Sequence, residues 1–331
     1  MKRFLAGLLI FVMLIGCSGC KKKDAELLGN YQAKDSVIHA DVGALVEASY
    51  APLLTQFYVC NVTHDMLSTS YVFDEEKPDR KGCVFVINRT KNELVFGYRM
   101  DETFYPASIT KLMTALVTLN RCKPDDKVVI SKEISELARG SVVELNEGDV
   151  MTIHDLLLCM LVSSANNAAV ALAVHVAGSE AAFVDLMNEE MKKLGGQTTK
   201  FMNASGLHDD KHKTTPYDMY IVYQECMKFE EFREIISLTE KRYNYSDASG
   251  SQRYRTVKTT NCFKLNTYEY PNSIAILGGK TGTTNAAGYC MILHIRNAYG
   301  TEYILGVFRA ETEAKLYGKL NDLMSTYCLT E

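Results

Sequence analysis

The sequence predicts a mixed α/β (α+β) fold: a mostly antiparallel sheet assembled from both ends of the chain, flanked by helices, with an all-helical subdomain inserted between its two halves. Three observations predict it. Two short strand-like runs lie near residue 85, a block of helical periodicities fills residues 108–227, and strands return beyond about residue 250 before one last helix. The chain has 331 residues, 47% of them hydrophobic and 23% charged, which suits a globular protein with a real core and excludes disordered, collagen-like and multi-span membrane classes. The net charge is −4 and no block of like charges stands out, which argues against nucleic acid as a partner.

Taken in order, the first element is an address. Lys2 and Arg3 precede Phe4–Ile15, a nearly pure apolar run that is too short to span a bilayer. Residues 1–16 therefore read as a signal peptide. Leu14-Ile15-Gly16-Cys17 resembles the lipobox of bacterial lipoproteins, which implies cleavage before Cys17 and diacylation of its thiol. Two acyl chains would hold the chain stably on a membrane. Cys17 and Cys20 also form a CxxC, but no second ligand pair stands at a spacing that would make a metal site. Residues 17–82 read as a tether and N-terminal extension: lysine-rich at first, then a stretch over Val42–Val59 interrupted by Pro52, then a charged loop over Asp74–Gly82.

From Cys83 the pattern sharpens, so residues 83–331 form the expected catalytic domain. Val84–Ile87 and Leu94–Phe96 predict a strand pair joined by a polar turn. Pro106 opens a helix over Ser108–Arg121. Further helices are predicted over Ile153–Val162, Ala168–Val176, Glu180–Leu194 (stopped by Gly195-Gly196) and Tyr217–Met227. Strands follow over Thr256–Lys264, Ile274–Leu277, Tyr289–Ile295 and Tyr303–Phe308, then a helix over Glu311–Tyr327. Of the scattered cysteines, Cys122, Cys159 and Cys226 lie in apolar stretches and read as small core residues.

Three short motifs carry chemistry. Ser108-Ile-Thr-Lys111 is an S-x-x-K at a helix start, where positions i and i+3 share a face and unpaired N–H groups favour an oxyanion. Ser164-Ala-Asn166 places a hydroxyl and an amide at a break between two apolar helices. Lys280-Thr281-Gly282, after Gly278-Gly279, sets a fixed cation beside glycines that let a substrate backbone approach closely. Each alone has a plain structural reading: a solvated lysine, a capping serine, a glycine-rich hairpin. An S-x-x-K also occurs at Ser18–Lys21.

The trio in this order is the set known from serine β-lactamases and penicillin-binding proteins. Four longer strings, Tyr105–Leu116, Ser163–Ala169, Asn203-Ala-Ser-Gly-Leu207 and Gly279–Tyr289, resemble the low-molecular-mass penicillin-binding proteins, the serine D-alanyl-D-alanine carboxypeptidases, over roughly residues 83–328. The resemblance implies a β-lactamase/transpeptidase-like fold with a five-stranded antiparallel sheet. It implies a peptidoglycan stem peptide ending in D-Ala-D-Ala as substrate, β-lactams as inhibitors, and no cofactor. It also implies roles: Ser108 as nucleophile, Lys111 as general base with a pKa depressed by burial and by Lys280, Ser164 as proton relay, and Asn166 holding the substrate backbone. Lys280, Thr281, Gly282 and Thr283 would bind the terminal carboxylate, with Arg309 a further candidate, and the N–H groups of Ser108 and Thr283 would form the oxyanion hole.

There are departures from the family pattern. Asn167 stands where many relatives carry Asp, and Thr283 where some carry His. Many relatives add a C-terminal β-rich domain and an amphipathic membrane helix; neither is expected here, with an N-terminal lipid in place of that anchor. A serine β-lactamase and a non-catalytic wall-binding sensor are the competing functions. Glu144-Leu145-Asn146 is similar to the deacylating stretch of class A β-lactamases but precedes the S-x-N motif instead of following it. His208-Asp-Asp-Lys-His212 imitates a zinc-protease motif but has Asp for Glu and reads as a loop.

Overall fold

The computed structural model describes residues 82–137, 139–196 and 198–330. The signal peptide, Cys17 and the tether up to residue 81 lie outside the described residues.

The chain enters through β1 (Cys83–Asn88) and β2 (Glu93–Tyr98). A 3₁₀ turn, Ala107–Thr110, leads into α1 (Lys111–Leu119). Then come β3 (Lys127–Val129), α2 (Lys132–Ser135), β4 (Val150–Thr152), α3 (Ile153–Val162), α4 (Asn166–Ala177), α5 (Glu180–Lys193), α6 (Pro216–Cys226) and α7 (Glu230–Ser237). The hairpin β5 (Glu240–Ser246) and β6 (Gln252–Lys258) is followed by β7 (Ile274–Thr284), β8 (Gly288–Asn297), β9 (Glu302–Ala310) and α8 (Glu313–Tyr327).

The main sheet has five strands in the order β2-β1-β9-β8-β7, all antiparallel, so both ends of the chain build it as expected. Both of its faces are buried, which explains the unbroken apolar run of β1. Cys83, Phe85 and Ile87 face the helical body, whereas Val84 and Val86 pack under α8 with Leu316, Leu320 and Leu323. In the helical body α1 is surrounded: every residue from Lys111 to Thr118 is buried. Local signals set the helix starts. Thr152 and Asp155 form a reciprocal capping box on α3, and Thr215 caps α6 with Pro216 at its first position.

Several boundaries differ from expectation. The strand expected over Thr256–Lys264 ends at Lys258, where the chain turns away. The strand begun at Ile274 continues to Thr284, so Lys280-Thr281-Gly282 lies on a strand and not between two. The first helix begins as a 3₁₀ turn, α4 begins at Asn166, and the last helix begins at Glu313 with Thr312 as its cap. Cys159 and Cys226 are core residues, but Cys122 is half-buried. A second sheet, β3-β4-β5-β6, was not foreseen: two of its strands have three residues and the other two alternate aromatic with charged side chains.

Gly306 in β9 faces Phe85, and a Cβ there would stand 2.4 Å from the Phe85 ring. Gly306→Ala overpacks this buried face and is expected to lower stability by about 1–3 kcal/mol, read as a fall in Tm by calorimetry.

Candidate active site

The site starts from the turn after Pro106. Ala107 is held at φ +48°, a conformation a non-glycine residue seldom adopts, and this swings the next residue, Ser108, out toward solvent. Ser108 stands in the 3₁₀ turn, where side chains three apart eclipse one another more closely than in an α-helix. That brings Lys111 Nζ to 2.8 Å from Ser108 Oγ.

Lys111 is fully buried with no carboxylate beside it. Its Nζ donates to Asn166 Oδ1 at 2.7 Å and to the Ser205 carbonyl at 2.5 Å. The Asn166 amide is oriented by its own Nδ2, which donates to the Arg139 carbonyl at 2.8 Å. Burial first, and the Lys280 charge second, hold the Lys111 amine well below the ordinary lysine range. A neutral amine has two N–H groups and one lone pair. Asn166 Oδ1 and the Ser205 carbonyl can only accept, so in the neutral form they take the two N–H groups and leave the lone pair for the Ser108 hydroxyl.

Ser205 is absent from the side-chain readings because it contributes a backbone carbonyl. Its loop is drawn to the nucleophile turn by several bonds. Thr114 Oγ1 donates to the Ala204 carbonyl at 2.6 Å, and Asn203 Oδ1 accepts from the N–H groups of Ser205 and Gly206. Gly206 lies at φ +85°, and a Cβ there would meet the Ala107 carbonyl at 1.8 Å, so only glycine permits the approach. The family-like string Asn203–Leu207 was the available signal.

The opposite wall is β7, the last strand of its sheet. Gly282 lets this strand reach the turn: a Cβ on it would lie 3.0 Å from Ser108 N and from the Pro106 carbonyl. Lys280 is buried, and its Nζ donates to Ser164 Oγ at 2.9 Å and to the Thr281 carbonyl at 2.7 Å. Burial alone lowers it to about 7. Ser164, like Ala107, is a non-glycine residue at positive φ, +61°, in the break between α3 and α4. Ser108, Ser164, Thr281, Gly282 and Thr283 line a cleft of about 180 Å³, with Lys111, Lys280 and Asn166 behind them. Both ends of the Asn166 side chain are engaged within the protein. Asn167 instead ties the preceding loop to α4, donating to the Val143 carbonyl at 2.6 Å.

Residues singled out for other chemistry stand elsewhere. Glu144 is exposed and pairs with Arg255 at 2.8 Å, outside the cleft lining. His212 is buried 3.0 Å from Thr110 Oγ1 and pushed down to about 4 by that burial, while His208 packs on Tyr105. Among the described residues no three His, Cys, Asp or Glu side chains converge to hold a metal. Arg309 closes β9 at φ +64°, its N–H 3.5 Å from Cys290 Sγ. The cleft lining also includes residues that the sequence motifs did not point to, among them Ser141, Thr260, whose hydroxyl bonds that of Thr281, and Glu313.

A serine hydroxyl poised on a buried amine, beside a second serine on a second lysine, defines a site for acyl transfer through a serine ester. The Peptidase S11 profile, D-alanyl-D-alanine carboxypeptidase, matches residues 76–312, and the chain belongs to that family. It is 32% identical over 211 residues to the D-alanyl-D-alanine carboxypeptidase DacF of Bacillus subtilis, covering 62% of this chain and 51% of DacF. It is 27% identical to the D-alanyl-D-alanine endopeptidase of Escherichia coli, covering 64% of this chain and 66% of that protein. The chain thus spans about half the length of several of the curated relatives it matches, DacF among them. In fold it is similar to the Streptomyces K15 DD-transpeptidase, with a TM-score of 0.67 at 25% identity over 73% of this chain and 94% of that one.

The buried Lys280 sets a test. The unfolded chain keeps this proton up to the ordinary value, 10.5, whereas the folded site releases it from about 7. The unfolded state therefore holds the extra proton across that window, so the penalty from Lys280 is full below about 7 and fades as pH rises toward 10.5. Lys280→Met is expected to raise Tm by about 5 °C near neutral pH, with the gap from wild type closing toward pH ~10, measured by circular dichroism melts.

Proposed function

We propose that the protein is a serine D,D-carboxypeptidase that removes the terminal D-Ala from peptidoglycan stem peptides. The observation that carries this reading is the buried Lys111 amine, its pKa lowered by that burial, 2.8 Å from Ser108 Oγ. Ser108 Oγ attacks the carbonyl between the two D-alanines while its proton passes to Lys111. The N–H groups of Ser108 and Thr283 receive the developing oxyanion. Lys280, Thr281 and Thr283 bind the terminal carboxylate. Ser164, on Lys280, relays a proton from that lysine to the departing amine as the C–N bond breaks, and water then hydrolyses the Ser108 ester to release the shortened peptide. Asn166 acts mainly by holding Lys111. The family membership and the curated relatives support this substrate class, and the position of Glu144 on Arg255 speaks against a β-lactamase built on that residue.

The reading extends to location: residues 1–16 direct export, and a diacylated Cys17 tethers the catalytic domain to the bacterial membrane, facing the wall. Labelled palmitate should enter the wild-type chain and not Cys17→Ala; equal labelling of both would overturn the lipid anchor.

Intact-protein mass after mixing with a penicillin tests the chemistry. A lasting adduct is expected on wild type, and none on Ser108→Ala, with D-alanine release from a D-Ala-D-Ala peptide falling at least about 10³-fold in that variant. Fast penicillin hydrolysis with no lasting adduct would replace the carboxypeptidase with a β-lactamase. Neither adduct nor hydrolysis would point to a non-catalytic sensor.

A further inference from the structure

We propose that Glu313 makes the leaving-residue end of the cleft selective for a cationic side chain. This rests on the carboxypeptidase reading for the direction in which the peptide lies. Glu313 lines the same cleft as Ser108, Thr281 and Thr283, together with Tyr289, Leu316 and Tyr317. Strand register says which end it occupies. Thr283 pairs with Tyr289, Tyr289 pairs with Ala310, and α8 opens three residues later at Glu313. The carboxylate therefore stands beside the threonines that receive the terminal carboxylate, on the side of the residue that departs.

Glu313 is also held in place. Tyr268 Oη donates to its Oε1 at 3.2 Å, and the Tyr268 ring stacks on the buried Tyr317 ring at 4.6 Å and 7°. The cleft volume, about 180 Å³, is small beside the usual ligand pocket, so it holds the residues around one peptide bond and little more. A side chain on the leaving residue then lies within reach of Glu313. Lys280 and the Thr281 and Thr283 hydroxyls serve the main-chain carboxylate, and no cation of the cleft lining serves Glu313. An ammonium on the substrate would give this exposed carboxylate an ion-pair partner, whereas a leaving D-alanine brings only a second negative charge.

The test compares two peptides that differ only in the leaving residue, acyl-D-Ala-D-Lys and acyl-D-Ala-D-Ala. Binding is measured by calorimetry on the full chain carrying Ser108→Ala, so that turnover plays no part. The D-Lys peptide is expected to bind about fivefold tighter, with the preference falling below about twofold when Glu313→Gln is added and shrinking in high salt. An equal preference with and without Glu313→Gln, or no preference, or no binding of either peptide, would overturn the subsite. Release of the leaving residue by the chain with Ser108 intact is read separately. A Glu313-dependent binding preference without any release would overturn the carboxypeptidase reading and leave the subsite standing.

Discussion

A lysine amine buried without a counter-ion is the constraint around which the site is organised. Water does not solvate Lys111, and no carboxylate neutralises it, so its hold on the proton is weakened and three oxygens fix its direction. Each oxygen then imposes a demand on the chain. Ser108 must lie one 3₁₀ turn before Lys111. Asn166 must be clamped by the Arg139 carbonyl. The Ser205 carbonyl must come so close to the nucleophile turn that residue 206 has no room for a side chain. A carboxylate in place of any of these oxygens would strengthen that hold on the proton.

The surrounding fold supplies what such an arrangement requires. Ala107 and Ser164 hold backbone conformations that cost about 1–3 kcal/mol each, and two lysines are buried nearby. None of this is stable in isolation. It is held by α1, whose whole surface is covered by neighbouring elements, and by a sheet whose two faces are both buried. The apolar packing contributes the stability that the site consumes, which is the usual relation between a rigid core and a strained, charged centre.

Much of this could be read from residues alone, and the physical reason differs by element. The main sheet was readable because β1, β8 and β9 carry long apolar runs, and the three motifs because their side chains do the chemistry. The second sheet was not. Three residues such as Lys127–Val129 carry no period, and the hairpin of β5 and β6 spends its outward positions on charge. Ser205 escaped because a backbone carbonyl has no side-chain signature. Glu313 escaped for the opposite reason: an acidic residue at the first position of a helix is commonplace compensation for the helix dipole, and only the assembled cleft shows that it also lines the same cleft as Ser108. The extension of β7 through Lys280-Thr281-Gly282 was hidden by glycines that weaken any strand pattern, yet those glycines let the strand lie against its neighbours.

The topology of the main sheet has a consequence for the order in which the molecule comes into being. β1 has two partners, and one of them, β9, lies near the far end of the chain, with Val84 opposite Val307. The cleft itself needs residues from Ser108 to Glu313. A chain emerging from its N-terminus carries Ser108 and Lys111 long before the strand and helix that complete their surroundings. Pairings this distant in sequence form slowly, because a long loop must close before any contact rewards it. The partly synthesised chain thus holds Ser108 and Lys111 in helical sequence without the cleft around them, and that cleft arrives only with the later strands and helix.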